Sequence, residues 1–164
     1  MDVAEAVRKQ LAAVQGRIRH DESRRAVGKP ARGGLSVLLQ GPAGTGKRAA
    51  AAALARAAGG DPVRIDLSKI LSKYIGETEK NLAALFDRAE RQGAVLLFDE
   101  ADALFGKRGG VRDSNDRFAN QEASFLLRRI ESFDGLVIFL ADRRANIDPA
   151  FLRRMRFAID FAAT

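Results

Sequence analysis

The stretch Gly41-Pro-Ala-Gly-Thr-Gly-Lys47-Arg48 constrains this chain more than any other. It follows the apolar run Leu35 to Leu39 and precedes the alanine-rich segment Ala49 to Ala58, which reads as buried strand, glycine loop and helix. Glycines in that context let backbone N–H groups close around phosphate oxygens, and the helix N-terminus adds partial positive charge. A lysine at position 47 reaches the outer phosphates. The pattern departs from the usual phosphate loop at one place. Such loops end in Lys-Ser or Lys-Thr because the hydroxyl holds Mg²⁺, and here that position is Arg48.

A chain of 164 residues, 46% of them hydrophobic, suits one domain with a real core. There are no cysteines, so disulfides and thiolate metal sites are excluded, which fits a reducing compartment. The sequence shows no apolar run long enough to span a membrane and no secretory h-region; the expected location is the cytoplasm. The net charge of +7 is spread along the chain rather than gathered in one tract, and with one tyrosine and no tryptophan no base-stacking platform is visible. These features argue against a nucleic-acid partner.

Val3, Ala6, Val7, Leu11, Val14 and Ile18 recur at helical spacing and predict an amphipathic helix over residues 2–20. Residues 21–34, rich in charge and breakers, read as a connection, so the domain division is residues 1–34 for this helix and linker and 35–164 for the core. His20, the only histidine, stands between Arg19 and Asp21 and reads as a surface residue. After the loop helix come a short strand over Val63 to Asp66 and the polar loop Ser72 to Glu77. That loop carries Tyr74, which taken alone reads as a helix-capping or packing aromatic. A helix starts near Thr78 and ends at Gln92-Gly93. Ala94 to Phe98 is a continuous apolar run, expected of a parallel strand covered on both faces, and delivers Asp99 and Glu100 at its carboxyl end. Ligands of open α/β sheets bind at that edge, so the glycine loop and the acidic pair face one cleft. Such a pair divides naturally into Asp99 near a metal ion and Glu100 orienting or deprotonating water.

Phe105 to Asp116, glycine-rich and charged, reads as a mobile loop. Asn115 to Phe133 resumes helical spacing, Leu136 to Ala141 is a further buried strand, and Asp142 to Asp148 a polar turn. A short helix begins at Pro149, and Phe157 to Phe161 forms the last strand. Five strands with intervening helices make a doubly wound α/β domain.

GPAGTGKR (Gly41 to Arg48), LSKYIGETEKNL (Leu71 to Leu82), VLLFDEADALFGKR (Val95 to Arg108) and NIDPAFLRRMRF (Asn146 to Phe157) together resemble the large P-loop subdomain of AAA+ ATPases. Within them the likeness is to the bacterial stand-alone group related to spastin-like and FtsH-like modules. The resemblance implies a five-stranded parallel sheet, binding of ATP and ADP with Mg²⁺, hydrolysis of ATP, and action on a protein client as an oligomer, a hexamer in relatives. It makes Gly41, Pro42, Ala43, Gly44, Thr45, Gly46, Lys47 and Arg48 the Walker A segment, and Asp99 (metal) and Glu100 (catalytic) the Walker B pair. Tyr74, Ile75 and Gly76 look like the first pore loop, which grips a threaded polypeptide in hexameric relatives. Arg153 and Arg154 fall where relatives place arginine fingers that act on the neighbouring subunit's ATP.

Three departures bear on activity. Arg48 replaces the hydroxyl that ligates Mg²⁺ with a permanent cation, implying weakened Mg²⁺ dependence. Relatives carry Ala-Thr-Asn after the fourth strand, and Asp142 here stands at the sensor position. Relatives also continue into a helical lid, whereas this sequence stops at Thr164; without a lid, weaker nucleotide affinity and ring assembly are expected. The alternatives are a degenerate nucleotide-binding assembly module with little turnover, and a nucleic-acid helicase fragment. Asp99-Glu-Ala-Asp102 spells the helicase string, but the companion Ser-Ala-Thr motif is missing.

Overall fold

The computed structural model describes residues 3–28, 34–60, 62–66, 77–93, 95–102, 124–142 and 147–161. The candidate pore loop at Tyr74, Ile75 and Gly76, the glycine-rich loop after Phe105 and the first part of the helix expected from Asn115 lie outside them.

The elements follow the order α1 (Val3–Ala26), β1 (Leu35–Gln40), α2 (Lys47–Ala57), β2 (Pro62–Asp66) and α3 (Glu77–Gln92). Then come β3 (Val95–Asp99), α4 (residues 124–132), β4 (Leu136–Ala141), α5 (Pro149–Leu152) and β5 (Phe157–Asp160). The strands form one parallel sheet in the order β2-β3-β4-β1-β5. β1 and β4, central in that order, are buried along their whole length, which is why both are almost unbroken apolar runs.

Strand alternation sorts the core into two layers. Leu38, Leu96, Phe98, Val137 and Phe139 point to one face and pack with Leu82 and Phe86 of α3, Leu126 and Ile130 of α4, and Phe151 of α5. Stacked and edge-on rings link Phe86, Phe98, Phe139 and Phe151 across that layer, with centroids 5.1–5.8 Å apart. On the other face Val37, Leu39, Ile138, Leu140 and Ile159 meet Ala51, Leu54 and Ala55 of α2 and Val7, Val14 and Ile18 of α1.

Helix α1 differs from expectation at its end. It continues to Ala26, through a segment the sequence reads as a connection. Asp21 to Ala26 contain no glycine or proline, and Arg17 Nε donates to Asp21 Oδ1 at 3.1 Å across one turn, with Asp21 itself buried. The stop comes at Gly28, whose φ of 77° takes the left-handed conformation that ends helices.

Candidate functional site

Because all five strands run parallel, the segments leaving β1, β3 and β4 emerge at one edge of the sheet. Two backbone bonds tie them there: Gly41 N donates to Ala141 O at 3.1 Å, and Ala101 N donates to Leu140 O at 2.9 Å. The glycine loop and the pair Asp99-Glu100 are thereby brought to one edge, as expected of strand ends in an open parallel sheet, and Asp142 lies with them.

The loop closes on itself through Thr45 Oγ1, which donates to Pro42 O at 2.8 Å. Gly44 and Gly46 have φ of 83° and 92°, which side-chain-bearing residues rarely adopt. Gly46 caps α2 without any side-chain hydrogen bond to the helix's first turn, so that end offers backbone donors and the positive end of the helix dipole to an anion. Lys47, at the first position of α2, is buried. Its Nζ donates to Gly41 O at 2.6 Å, Ala141 O at 2.8 Å and Asp142 Oδ1 at 2.7 Å. All three ammonium protons are used.

Asp99 is engaged at both of its oxygens. Oδ2 accepts from Arg48 at 2.7 Å and from Arg64 Nη2 at 2.6 Å, and Oδ1 accepts from the Glu100 N–H at 2.9 Å. Burial pushes this carboxyl up, but the two guanidinium bonds outweigh it and hold it below the ordinary carboxylate range. The same pairing, more than burial opposes, raises Arg48 above the usual guanidinium value. Glu100 stands at φ 58°, the only non-glycine residue at positive φ among those described. Burial raises its carboxyl above the usual range, and the charges of Asp142, Asp99, Asp102 and Asp66 add to the rise.

The donor set does not fit Mg²⁺. Position 48 offers a cation instead of a hydroxyl, and the Asp99 oxygens already hold three donors. Among the described residues no three His, Cys, Asp or Glu side chains converge as a metal-binding group.

Arg153 and Arg154 lie elsewhere. They follow α5, just before β5 begins, and Ser36 Oγ at the start of β1 donates to Arg154 O at 3.4 Å. That is the edge of the sheet opposite the glycine loop. Both side chains are exposed, and Arg154 pairs with Glu131. Two features of the site escape sequence reasoning, namely the partnership of Arg64 with Asp99 and the left-handed backbone of Glu100. The only available signal for Arg64 is its place opposite Ile65 in the strand alternation of β2.

The family model described as "ATPase family associated with various cellular activities (AAA)" matches residues 37–163. The chain is 37% identical over 147 residues to the Cell division cycle protein 48 homolog of Archaeoglobus fulgidus, covering 87% of this chain and 20% of that protein. It is 33% identical over 157 residues to the 26S proteasome subunit RPT4 of Saccharomyces cerevisiae, covering 92% of this chain and 35% of that protein. The chain thus spans about a fifth to a third of the length of these relatives. With a glycine loop and an acidic strand end meeting at one edge of a five-stranded parallel sheet, and the family model matching most of its length, the chain belongs to the AAA family of ATPases.

Proposed function

We propose that this chain is the ATP-binding and ATP-hydrolysing domain of an oligomeric motor that remodels protein partners, with slow intrinsic turnover. The observation carrying the reading is the meeting of the uncapped α2 N-terminus, Lys47 and the carboxylates of Asp99 and Glu100 at one sheet edge. In this reading Gly41 to Arg48 cradle the phosphates and Lys47 neutralises the outer ones. Glu100, which follows β3 at the same sheet edge and whose carboxyl is raised by burial and by neighbouring carboxylates, orients and deprotonates the attacking water. Arg153 and Arg154 serve the nucleotide of a neighbouring copy, and Tyr74-Ile75-Gly76 grips the client. One relative being named a proteasome subunit supports a protein client and an assembled state. No helix among the described residues is long and apolar enough to cross a membrane, and we assign the domain to the cytoplasm.

Slow turnover follows from two contacts. Asp142 occupies the lysine and stands where a sensor asparagine is expected, and Arg48 occupies the acid that would hold a metal. A loss of about 2.7 kcal/mol of transition-state stabilisation at either place lowers the rate roughly 100-fold while leaving binding intact. Weakened dependence on Mg²⁺ belongs to the same reading.

The test is fluorescent ATP and ADP titration alongside phosphate release, on the chain and on Glu100→Gln. Binding in both, with phosphate release lost in the variant by about 100-fold or more, is expected. Binding with equal release in both removes Glu100 from the chemistry, binding without release in either leaves a nucleotide-sensing module, and no binding overturns the reading.

A further inference from the structure

We propose that Arg48 and Arg64 together replace the divalent cation beside Asp99, so that this site takes nucleoside di- and triphosphates without Mg²⁺. The proposal rests on the nucleotide-binding reading above and deepens it by naming what supplies the metal's charge.

The arrangement is built by two elements independently. Alternation along β2 sends Ile65 into the core beside α3 and α4, so Arg64 projects to the other face, where α2 lies. The register pairs Arg64 with Leu97 and Asp66 with Asp99, which puts the Asp99 carboxylate one strand over and two residues further on, within reach of the Arg64 guanidinium. Arg48, on the first turn of α2, arrives from above. Both guanidinium groups bind the same oxygen, Oδ2, at 2.7 and 2.6 Å. They are half exposed, whereas the Asp99 side chain is only 9% exposed, and its Oδ2 is covered by both guanidinium groups.

Charge leads to the same conclusion. Lys47 contacts Asp142, and Arg48 and Arg64 contact Asp99, so these three cations stand among the carboxylates gathered at this edge, Asp99, Glu100, Asp142, Asp66 and Asp102. With a hydroxyl at position 48 and an uncharged residue at position 64, the same carboxylates would lack two positive charges, which is what a divalent cation brings. Guanidinium groups do not deprotonate and offer forked donors to phosphate oxygens, so they supply this charge permanently. Mg²⁺ needs its oxygens at about 2.0–2.1 Å, and at Oδ2 it would meet two cations.

The experiment is a titration of the whole chain with a fluorescent ADP analogue, in EDTA and in excess Mg²⁺. Affinities within about threefold of each other are expected, and an affinity weaker by about tenfold or more in EDTA overturns the proposal while leaving the nucleotide site in place. No binding in either buffer overturns both the site and the proposal. The comparison needs no variant, so it does not depend on any substitution folding.

Variants then assign the cause. Arg48→Thr with Arg64→Ser is expected to acquire Mg²⁺ dependence of about tenfold or more, and Arg48→Thr alone a smaller one because Arg64 still holds Asp99. Arg64→Lys, which keeps the charge, should stay metal-independent. A folded double variant, checked by circular dichroism, that binds equally well in EDTA would overturn the proposal.

Discussion

Lys47 Nζ lies 2.7 Å from Asp142 Oδ1, so the lysine closing the glycine loop is held by the residue that follows β4. A phosphate entering the loop must take the place of that carboxylate on a lysine whose other two protons are already given to Gly41 and Ala141 carbonyls. Asp142 is largely exposed, which limits the pair to about 0.5–1 kcal/mol. Asp142→Asn should therefore tighten ATP and ADP binding by about two- to fivefold in a fluorescence titration. An unchanged or weaker affinity would mean that the carboxylate does not compete with nucleotide.

Glu100 combines a strained backbone with a disfavoured charge. Its φ of 58° costs a non-glycine residue roughly 1–2 kcal/mol, of which glycine's extra unfolded-state freedom returns about 0.5–1 kcal/mol. Glu100→Gly is expected to raise the unfolding free energy by about 0.5–1 kcal/mol in urea denaturation, while cutting phosphate release by about 100-fold or more. A less stable variant would remove strain from the account of this position.

Gly34 and Gly135 look alike in sequence and differ in the fold. A Cβ on Gly34 would lie 2.0 Å from the Phe133 carbonyl oxygen, a backbone atom that cannot swing aside, whereas a Cβ on Gly135 would meet the Phe133 ring edge at 2.7 Å. Gly34→Ala should destabilise the chain by about 1–3 kcal/mol, and Gly135→Ala by less because the ring can tilt. Urea midpoints in the reverse order would contradict this packing.

The acid response follows from Asp99 and Glu100 with opposite signs. Burial raises Asp99 and its guanidinium partners lower it further, leaving its folded value depressed; its contribution is present above the unfolded value of about 3.9 and is lost as pH falls through the lower folded value. Burial raises Glu100, so its cost is absent below the unfolded value of about 4.3 and sets in as pH rises through the higher folded value. Asp99→Asn should flatten the loss of stability below about pH 4, and Glu100→Gln the decline above it, in denaturation curves across pH. Parallel curves for wild type and both variants would leave neither group linked to folding.

Residues whose environment depends on chain-local spacing were legible in the sequence. Leu35 to Gln40 and Leu136 to Ala141 are buried on both faces and therefore uniformly apolar, and their carboxyl ends had to carry the glycine loop and Asp142 to one edge. What was not legible depends on which strands are neighbours. Arg64 reads as an ordinary polar residue of a short strand until β2 is paired with β3, and only then does it lie beside Asp99. The length of α1 was obscured for another reason, since the charges of Asp21 to Ala26 mimic a linker although Arg17 and Asp21 pair across a helical turn. The Glu100 backbone leaves no trace in composition at all.

Arg153 and Arg154 cannot reach the phosphates of their own chain. Arg156 N donates to Ser36 O at 3.1 Å, which fixes this segment at the beginning of β1, while the glycine loop starts where β1 ends; Ser36 to Gly41 spans roughly 16 Å at strand rise. The Arg154–Glu131 pair is exposed at both partners and contributes at most about 1 kcal/mol, so exchanging Glu131 for a phosphate on another copy meets little resistance. If these arginines act between copies, Arg153→Ala with Arg154→Ala should bind nucleotide within about twofold of wild type yet release little phosphate. Lys47→Ala should fail to bind but keep its arginines. Mixing the two inactive proteins then forms interfaces carrying an intact loop from one copy and intact arginines from the other. Phosphate release in the mixture should exceed the sum of the separate proteins by about tenfold, equivalent to about 1.4 kcal/mol of transition-state stabilisation. A mixture no more active than that sum would confine the arginines to a structural role beside Glu131.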